Sequence, residues 1–239
     1  MRALILAAGL GSRLGQKTKY APKSLIQVGK RPILGFQIDA LITQGIKQIG
    51  IVVGYHADKI REFVKRYACA DIHIIENTIY DRSNSSYSFW LAREFVMGHS
   101  YVHLNCDIIF RPEFLASILA DPNPNCIAIS RHVNLGDGME LVSVIEGMIK
   151  KMDNSYYPEA VGKAYGLAKL SVESNLMASE MASRFIERGD NNQNYYGLLR
   201  RTVEKLPYKA VEAAPLDIME VNTLEDLEIA ESKLEQWAT

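Results

Sequence analysis

Residues 4–15 read LILAAGLGSRLG, an apolar run that passes without a break into a glycine-rich loop. A run that is apolar at every position, rather than at alternate ones, suits a strand covered on both faces. Runs of the same kind recur at residues 49–53, 72–75, 101–104 and 127–130, and helical spacing fills residues 33–44, 57–67, 87–96 and 113–119 between them. Such alternation predicts parallel βαβ units with right-handed crossovers. The first half therefore reads as a Rossmann-like, doubly wound α/β sheet.

The second half changes texture. Residues 140–155 predict two strands around a Gly147 turn and residues 163–171 a further strand. Helices are expected over 172–188 and 194–206, with short strands at 208–213 and 218–221. In the last stretch Thr223 and Asp226 have capping-box spacing, and Leu224, Leu227, Ala230 and Leu234 form an apolar stripe. With no repeat, low-complexity tract or Pro/Ser-rich linker in view, this half reads as an extension of the same sheet, mixed but mainly parallel. One domain over residues 1–239 is expected.

Composition narrows the function. The 27 basic and 28 acidic residues leave a formal net charge of −1 and no long single-sign run, so nucleic-acid binding is not expected. The three cysteines lack metal-ligand or paired spacing, which argues for reduced thiols rather than a disulfide framework or a zinc site. The apolar stretch at residues 3–8 is too short for a secretion signal, and no run approaches the roughly 20 residues of a membrane helix. A cytoplasmic protein is expected, with no membrane partner; a homodimer is left open.

The loop itself excludes two familiar phosphate motifs. A dinucleotide fingerprint needs a third glycine where Leu14 stands, and a Walker A loop needs a Gly-Lys pair, whereas Gly9 and Gly11 lead instead to Leu14 and Gln16. What remains is LAAGxGxRL, followed by Pro22-Lys23-Ser24-Leu25. Glycines at 9 and 11 let backbone N–H groups approach phosphate oxygens, and Arg13 and Lys23 add cations.

This combination resembles the nucleotidyltransferases that join nucleoside triphosphates to phosphorylated sugars and small alcohols. The resemblance continues through residues 29–41 and 45–55, Asn105-Cys106-Asp107 at a strand end, and Glu220-Val221-Asn222-Thr223 before the last helix. Residues 84–88 are similar to a segment of bacterial choline-phosphate (LicC-type) and phosphonate cytidylyltransferases, although an Asn/Ser helix cap explains the same composition.

The resemblance implies a nucleotide-diphospho-sugar transferase type of fold, with residues 1–133 as a nucleotide-binding half and residues 134–239 as an acceptor-binding half. It implies nucleotide contacts from Leu6, Ala7, Ala8, Gly9, Gly11, Ser12, Arg13, Lys23, Asn84, Ser85, Ser88 and Cys106, with Arg13 and Lys23 catalytic. It places Mg²⁺ on Asp107, with Glu220 or Asn222 as further candidates and Asp217 as a substitute. Asn222 stands where an aspartate is common, and an amide oxygen is the poorer magnesium ligand.

The expected reaction is transfer of CMP from CTP to a small phosphorylated or phosphonylated compound, with pyrophosphate released. For the acceptor, Arg131, Tyr165, Lys169 and Tyr196 are the candidates, with His132 beside them. Tyr156, Tyr157, Tyr165, Tyr195 and Tyr196 could cage a quaternary ammonium group or simply be half-buried residues. Tyr195-Tyr196-Gly197 lacks the carboxylate that follows the paired aromatics of choline-phosphate enzymes. Two rivals stay open: a sugar-1-phosphate nucleotidyltransferase using UTP, dTTP or GTP, and a non-catalytic nucleotide-binding domain.

Overall fold

The apolar run that precedes the glycine loop becomes strand β1 (Arg2–Ala7), an interior strand of a nine-stranded sheet in this computed structural model, which describes residues 1–237. Its neighbours are parallel: β4 (Gln48–Val53) on one side, followed by β5 (Asp71–Glu76), and β6 (Tyr101–Asn105) on the other. Two short ribbons lie outside this sheet. One pairs β2 (Gln27–Val28) with β3 (Arg31–Pro32), and the other pairs β7 (Ile108–Phe110) with β13 (Ile218–Glu220).

The helices cover both faces because β1 offers apolar groups to both. Ala3, Ile5 and Ala7 point into a core with α1 (Ile33–Thr43), α2 (Ala57–Val64) and α4 (Pro112–Ala120). Leu4 and Leu6 point the other way, toward α3 (Ser85–Val96), α5 (Val172–Glu187) and α6 (Tyr195–Val203). A third cluster seats α7 (Leu224–Leu234) and buries Leu14, which anchors the loop after β1. No helix among the described residues is long and apolar enough to cross a membrane.

The second half extends the same sheet through β11 (Gly162–Leu170), β8 (Cys126–Ser130), β12 (Lys209–Glu212), β10 (Met148–Asp153) and β9 (Leu141–Ile145). Only β10 and β11 run against the others, so the sheet is mixed and most strands share one direction. The parallel order predicted through residues 127–130 is nevertheless interrupted, because β11 inserts antiparallel between β6 and β8. The start of β11 also pairs with β9, which curls this end of the sheet back on itself. Glu146 and Gly147, both at positive φ, make the expected tight turn between β9 and β10.

One detail of the apolar stripe on α7 departs from expectation. Leu227 and Ala230 are buried and Leu234 packs against them, whereas Leu224 is 50% exposed. As the first helical residue after the Thr223 cap it projects from the end of the helix, not from its packed face.

Two stability outcomes follow from this packing. Phe89→Ala, at a fully buried site between Tyr101 and Tyr195, is expected to lower unfolding free energy by about 3–5 kcal/mol in urea titrations, whereas Leu224→Ala stays within about 0.5 kcal/mol. His103 is fully buried, stacked at 4.1 Å on Tyr195, and burial lowers its pKa to about 4. The unfolded chain therefore binds the proton more readily, so this contribution is complete above about pH 6.5 and is lost as pH falls towards 4. Wild type is expected to lose on the order of 3 kcal/mol over that window through this group, and His103→Gln to lose correspondingly less.

Candidate active site

The loop after β1 is shaped by glycine for two reasons at one position. Gly11 has φ +66, and a Cβ there would lie 2.9 Å from Lys23 Cβ and 3.0 Å from Thr18 Cγ2. A side chain at residue 11 would thus push away the lysine that the loop must approach. Thr18 closes the following 3-10 stretch by donating its hydroxyl to the carbonyls of Gly11 and Gly15. Pro22 then leads into a single turn that carries Lys23 inward, leaving it 7% exposed.

The Lys23 ammonium sits 2.9 Å from Asp107 Oδ2 and donates at 2.7 Å to Asn222 Oδ1. Arg13 Nη2 donates at 2.6 Å to that same Asn222 oxygen. Asp107 stands just beyond the carboxyl end of β6, where open α/β sheets place their ligands. Fully buried Gln37 of α1 brackets the turn, its amide donating to the carbonyls of Asn105 at 2.7 Å and Ile108 at 2.8 Å. The second carboxylate oxygen of Asp107, Oδ1, is buried and has no hydrogen-bond partner among the described residues. A buried carboxylate oxygen of this kind is one that a water or an ion can satisfy.

These groups line a cavity of about 910 Å³. Leu6, Ala8, Gly9, Gly11, Ser12, Arg13, Lys23, Cys106 and Asp107 share its wall with Asn84, Ser85 and Ser88. Ala7 does not reach it, because alternation along β1 sends its methyl to the opposite core. Burial pushes the Cys106 thiol up to about 12, so it contributes a neutral thiol to the wall.

The wall at α3 is built from small polar groups that hold one another. Asn84 caps the helix, its Oδ1 accepting from the Ser85 N–H at 2.7 Å. Ser85 Oγ in turn accepts the Tyr195 N–H at 2.8 Å, tying α3 to α6. Asn77, the residue after β5, donates to Ser83 Oγ at 3.0 Å and Ser88 Oγ at 3.1 Å. Both Asn77 and Ser83 line the cavity. The strand-end rule that singled out Asp107 applies equally to Asn77. Tyr87 packs against Trp90 and lies outside the lining.

Towards the second half the wall becomes acidic and ion-paired. Lys163 pairs with Glu220, and the Arg200 guanidinium grips Glu140 through two hydrogen bonds. Burial raises the Glu140 pKa, partly offset by Arg200. Tyr196 is buried at the cavity edge, its hydroxyl donates to the Tyr165 carbonyl, and burial holds that hydroxyl far from ionisation. Gly166 faces Asn105 so closely that a Cβ would meet its side chain at 2.3 Å.

Several acceptor candidates are not brought here. Lys169 lies toward the far end of β11 from Lys163, and its ammonium donates to the carbonyls of Asp121 and Leu119 at the end of α4. The antiparallel run of β11 explains this, since the start of the strand, with Lys163, faces the cleft. Arg131 pairs with Glu212 at 3.1 Å on an exposed edge. Tyr165 and His132 line a separate cavity of about 210 Å³ that shares Lys163 and Glu220 with the large one. Among the five tyrosines only Tyr196 lines the cleft, so they form no cage: Tyr156 is exposed, Tyr157 bonds the Lys151 carbonyl and Tyr195 is buried against Tyr101. Asp217 is committed to a turn, accepting the Ala214 N–H.

Known proteins resemble this chain along different lengths. CTP:phosphoglutamine cytidylyltransferase of Campylobacter jejuni is 28% identical over 96% of this chain and 98% of its own length. CMP-5'-(3-aminopropyl)phosphonate synthase of Streptomyces rubellomurinus is 37% identical over 55% of this chain, which spans only 21% of that protein. The solved structure of CTP:phosphocholine cytidylyltransferase from Streptococcus pneumoniae (LicC) superposes with a TM-score of 0.80 over 98% of both chains at 20% identity, a likeness of fold. The model of the MobA-like NTP transferase domain matches residues 3–159, well over half the chain, and the protein belongs to that nucleotidyltransferase family.

Proposed function

We propose that this chain is a Mg²⁺-dependent cytidylyltransferase that transfers CMP from CTP to a small phosphorylated or phosphonylated acceptor and releases pyrophosphate. One observation carries the reading: Arg13, Lys23 and the unpartnered Oδ1 of Asp107 converge on a glycine loop at the mouth of a cavity large enough for two substrates. The family membership and the cytidylyltransferases among its relatives support it.

The donor set suits magnesium. Asp107 offers one free hard oxygen, in keeping with an ion that takes few protein ligands and keeps waters and phosphate oxygens for the rest. Bound there, the ion would neutralise phosphate charge. Glu220 is a less ready ligand because Lys163 already occupies it.

The remaining work falls to the chain. Backbone N–H groups around Gly9 and Gly11 approach the phosphates, while Arg13 and Lys23 stabilise charge on the α-phosphoryl oxygens and the departing pyrophosphate. The acceptor phosphate is already anionic near neutral pH, so no side chain has to remove a proton from it. Its oxygen attacks the α-phosphorus in line with the leaving group, and alignment is what the cleft supplies. Asn84, Ser85 and Ser88 form the wall for the base, and Lys163 is the cation placed to receive the acceptor phosphate, releasing Glu220 as it does so.

A pyrophosphate-release assay with four nucleoside triphosphates and a panel of phosphocholine, aminoethylphosphonate, phosphorylated acids and sugar phosphates tests the reading. CTP with a small phosphorylated or phosphonylated acceptor is expected to be preferred, and preference for UTP or dTTP with a sugar phosphate would refute it. Lys23→Ala and Asp107→Ala are each expected to reduce kcat by about 10²–10³-fold, measured on folded protein. Lys163→Met is expected to raise KM for the acceptor while leaving KM for CTP within about twofold.

A further inference from the structure

The contacts of Asn222 differ from those of a metal ligand. Its single Oδ1 accepts from Lys23 at 2.7 Å and from Arg13 at 2.6 Å. Both donors are cations that can only donate, so the amide oxygen, not its nitrogen, must face them. Its backbone is held as firmly. The Asn222 N–H donates at 2.9 Å to Asp226 Oδ2, which also accepts the Thr223 N–H within the capping box that starts α7. Val221 N–H donates at 2.7 Å to the Asp107 carbonyl, locking this segment to the turn that carries the metal candidate.

The charge balance matters as much as the geometry. Among the groups in direct contact two cations face one carboxylate, Asp107, while Asp226 stands one step further out on the Asn222 and Thr223 N–H groups, so the contacting set carries net positive charge before anything binds. A carboxylate at residue 222 would cancel that excess, pairing with both cations and competing with phosphate oxygens for their protons. An amide oxygen orients the same two donors without adding charge.

We propose that Asn222 is a positioning residue whose amide oxygen holds Arg13 and Lys23 as a net-positive cradle, so that the triphosphate binds before a divalent cation joins at Asp107. This rests on the nucleotidyltransferase reading of the same cleft and adds to it an order of assembly. Asp107 Oδ1, unpartnered and adjacent, remains free for the ion after the polyphosphate is seated. The amide gives up its hold on the cations as anionic phosphate oxygens replace it, and because the released amide is neutral no charge is left unpaired.

The test is isothermal titration of the 239-residue chain with CTP and, separately, with inorganic tripolyphosphate, in excess EDTA and across a magnesium series. Wild type is expected to bind both ligands in EDTA. Asn222→Asp is expected to weaken metal-free binding of both at least tenfold while reducing, several-fold, the magnesium needed for half-maximal CTP binding. Asn222→Ala is expected to weaken metal-free binding without that gain in magnesium affinity. Such opposite movements would not arise from loss of packing, and thermal unfolding of each variant verifies that it is folded. Should Asn222→Asp fail to fold, Asn222→Ala decides alone. Metal-free affinity that is absent in wild type, or unchanged in the folded variants, overturns the proposal. The tripolyphosphate arm separates the two readings: if another nucleotide proves preferred to CTP, the choice of base fails while the cradle is still measured.

Discussion

The contact on which the site depends is the buried ammonium of Lys23, held between Asp107 and Asn222. It draws together three segments distant in sequence: the loop after β1, the end of β6 and the lead into α7. A lysine this buried is tolerable only when its charge is paired and its protons are used. That requirement fixes where the three segments meet. The satellite core of Leu14, Ile109, Val221 and Leu227 supplies the apolar packing that keeps them there.

Around that point the sheet divides the work. Parallel strands β4, β1 and β6 direct their carboxyl ends to one edge, which concentrates loop residues and backbone donors at the end of the cleft that carries Gly9, Gly11 and Asp107. Antiparallel β11, inserted beside β6, reverses the logic and brings its amino-terminal end to the same edge. A register shift between Ala164 and Ala168, together with the side-chain-free Gly166, lets β11 pass Asn105 closely enough to close the cleft wall. The ion pairs Lys163–Glu220 and Arg200–Glu140 satisfy four charges on this wall, which Asp137 also lines.

Much of this was legible along the chain. Continuous apolar runs marked β1, β4, β6 and β8, because strands covered on both faces need apolar groups at every position. Helix caps, the Gly147 turn and the Thr223–Asp226 box were readable because each is a local hydrogen-bonding or dihedral constraint complete within a few residues. Gly9, Gly11, Arg13, Lys23 and Asp107 were legible as chemistry. Their residue types and order described a glycine loop, two cations and a strand-end carboxylate, which the fold brings to one cavity wall.

What lay beyond the sequence shares one cause: contacts between residues far apart in the chain depend on the direction and register of strands that no local pattern encodes. Whether Lys163 or Lys169 reaches the cleft turns on the antiparallel run of β11, since both belong to the same predicted strand. Gln37 looked like a helix residue until the fold set its amide under the Asp107 turn. Asn222 read as a weakened metal ligand, and only the meeting of three remote segments showed its oxygen shared by Arg13 and Lys23. The sequence by itself determined the α/β architecture and the residue types of the glycine-rich loop, because both are written in short-range periodicity and residue type. The tertiary structure alone decided which charges meet across the cleft, because a salt bridge or shared hydrogen bond is set by distance in space.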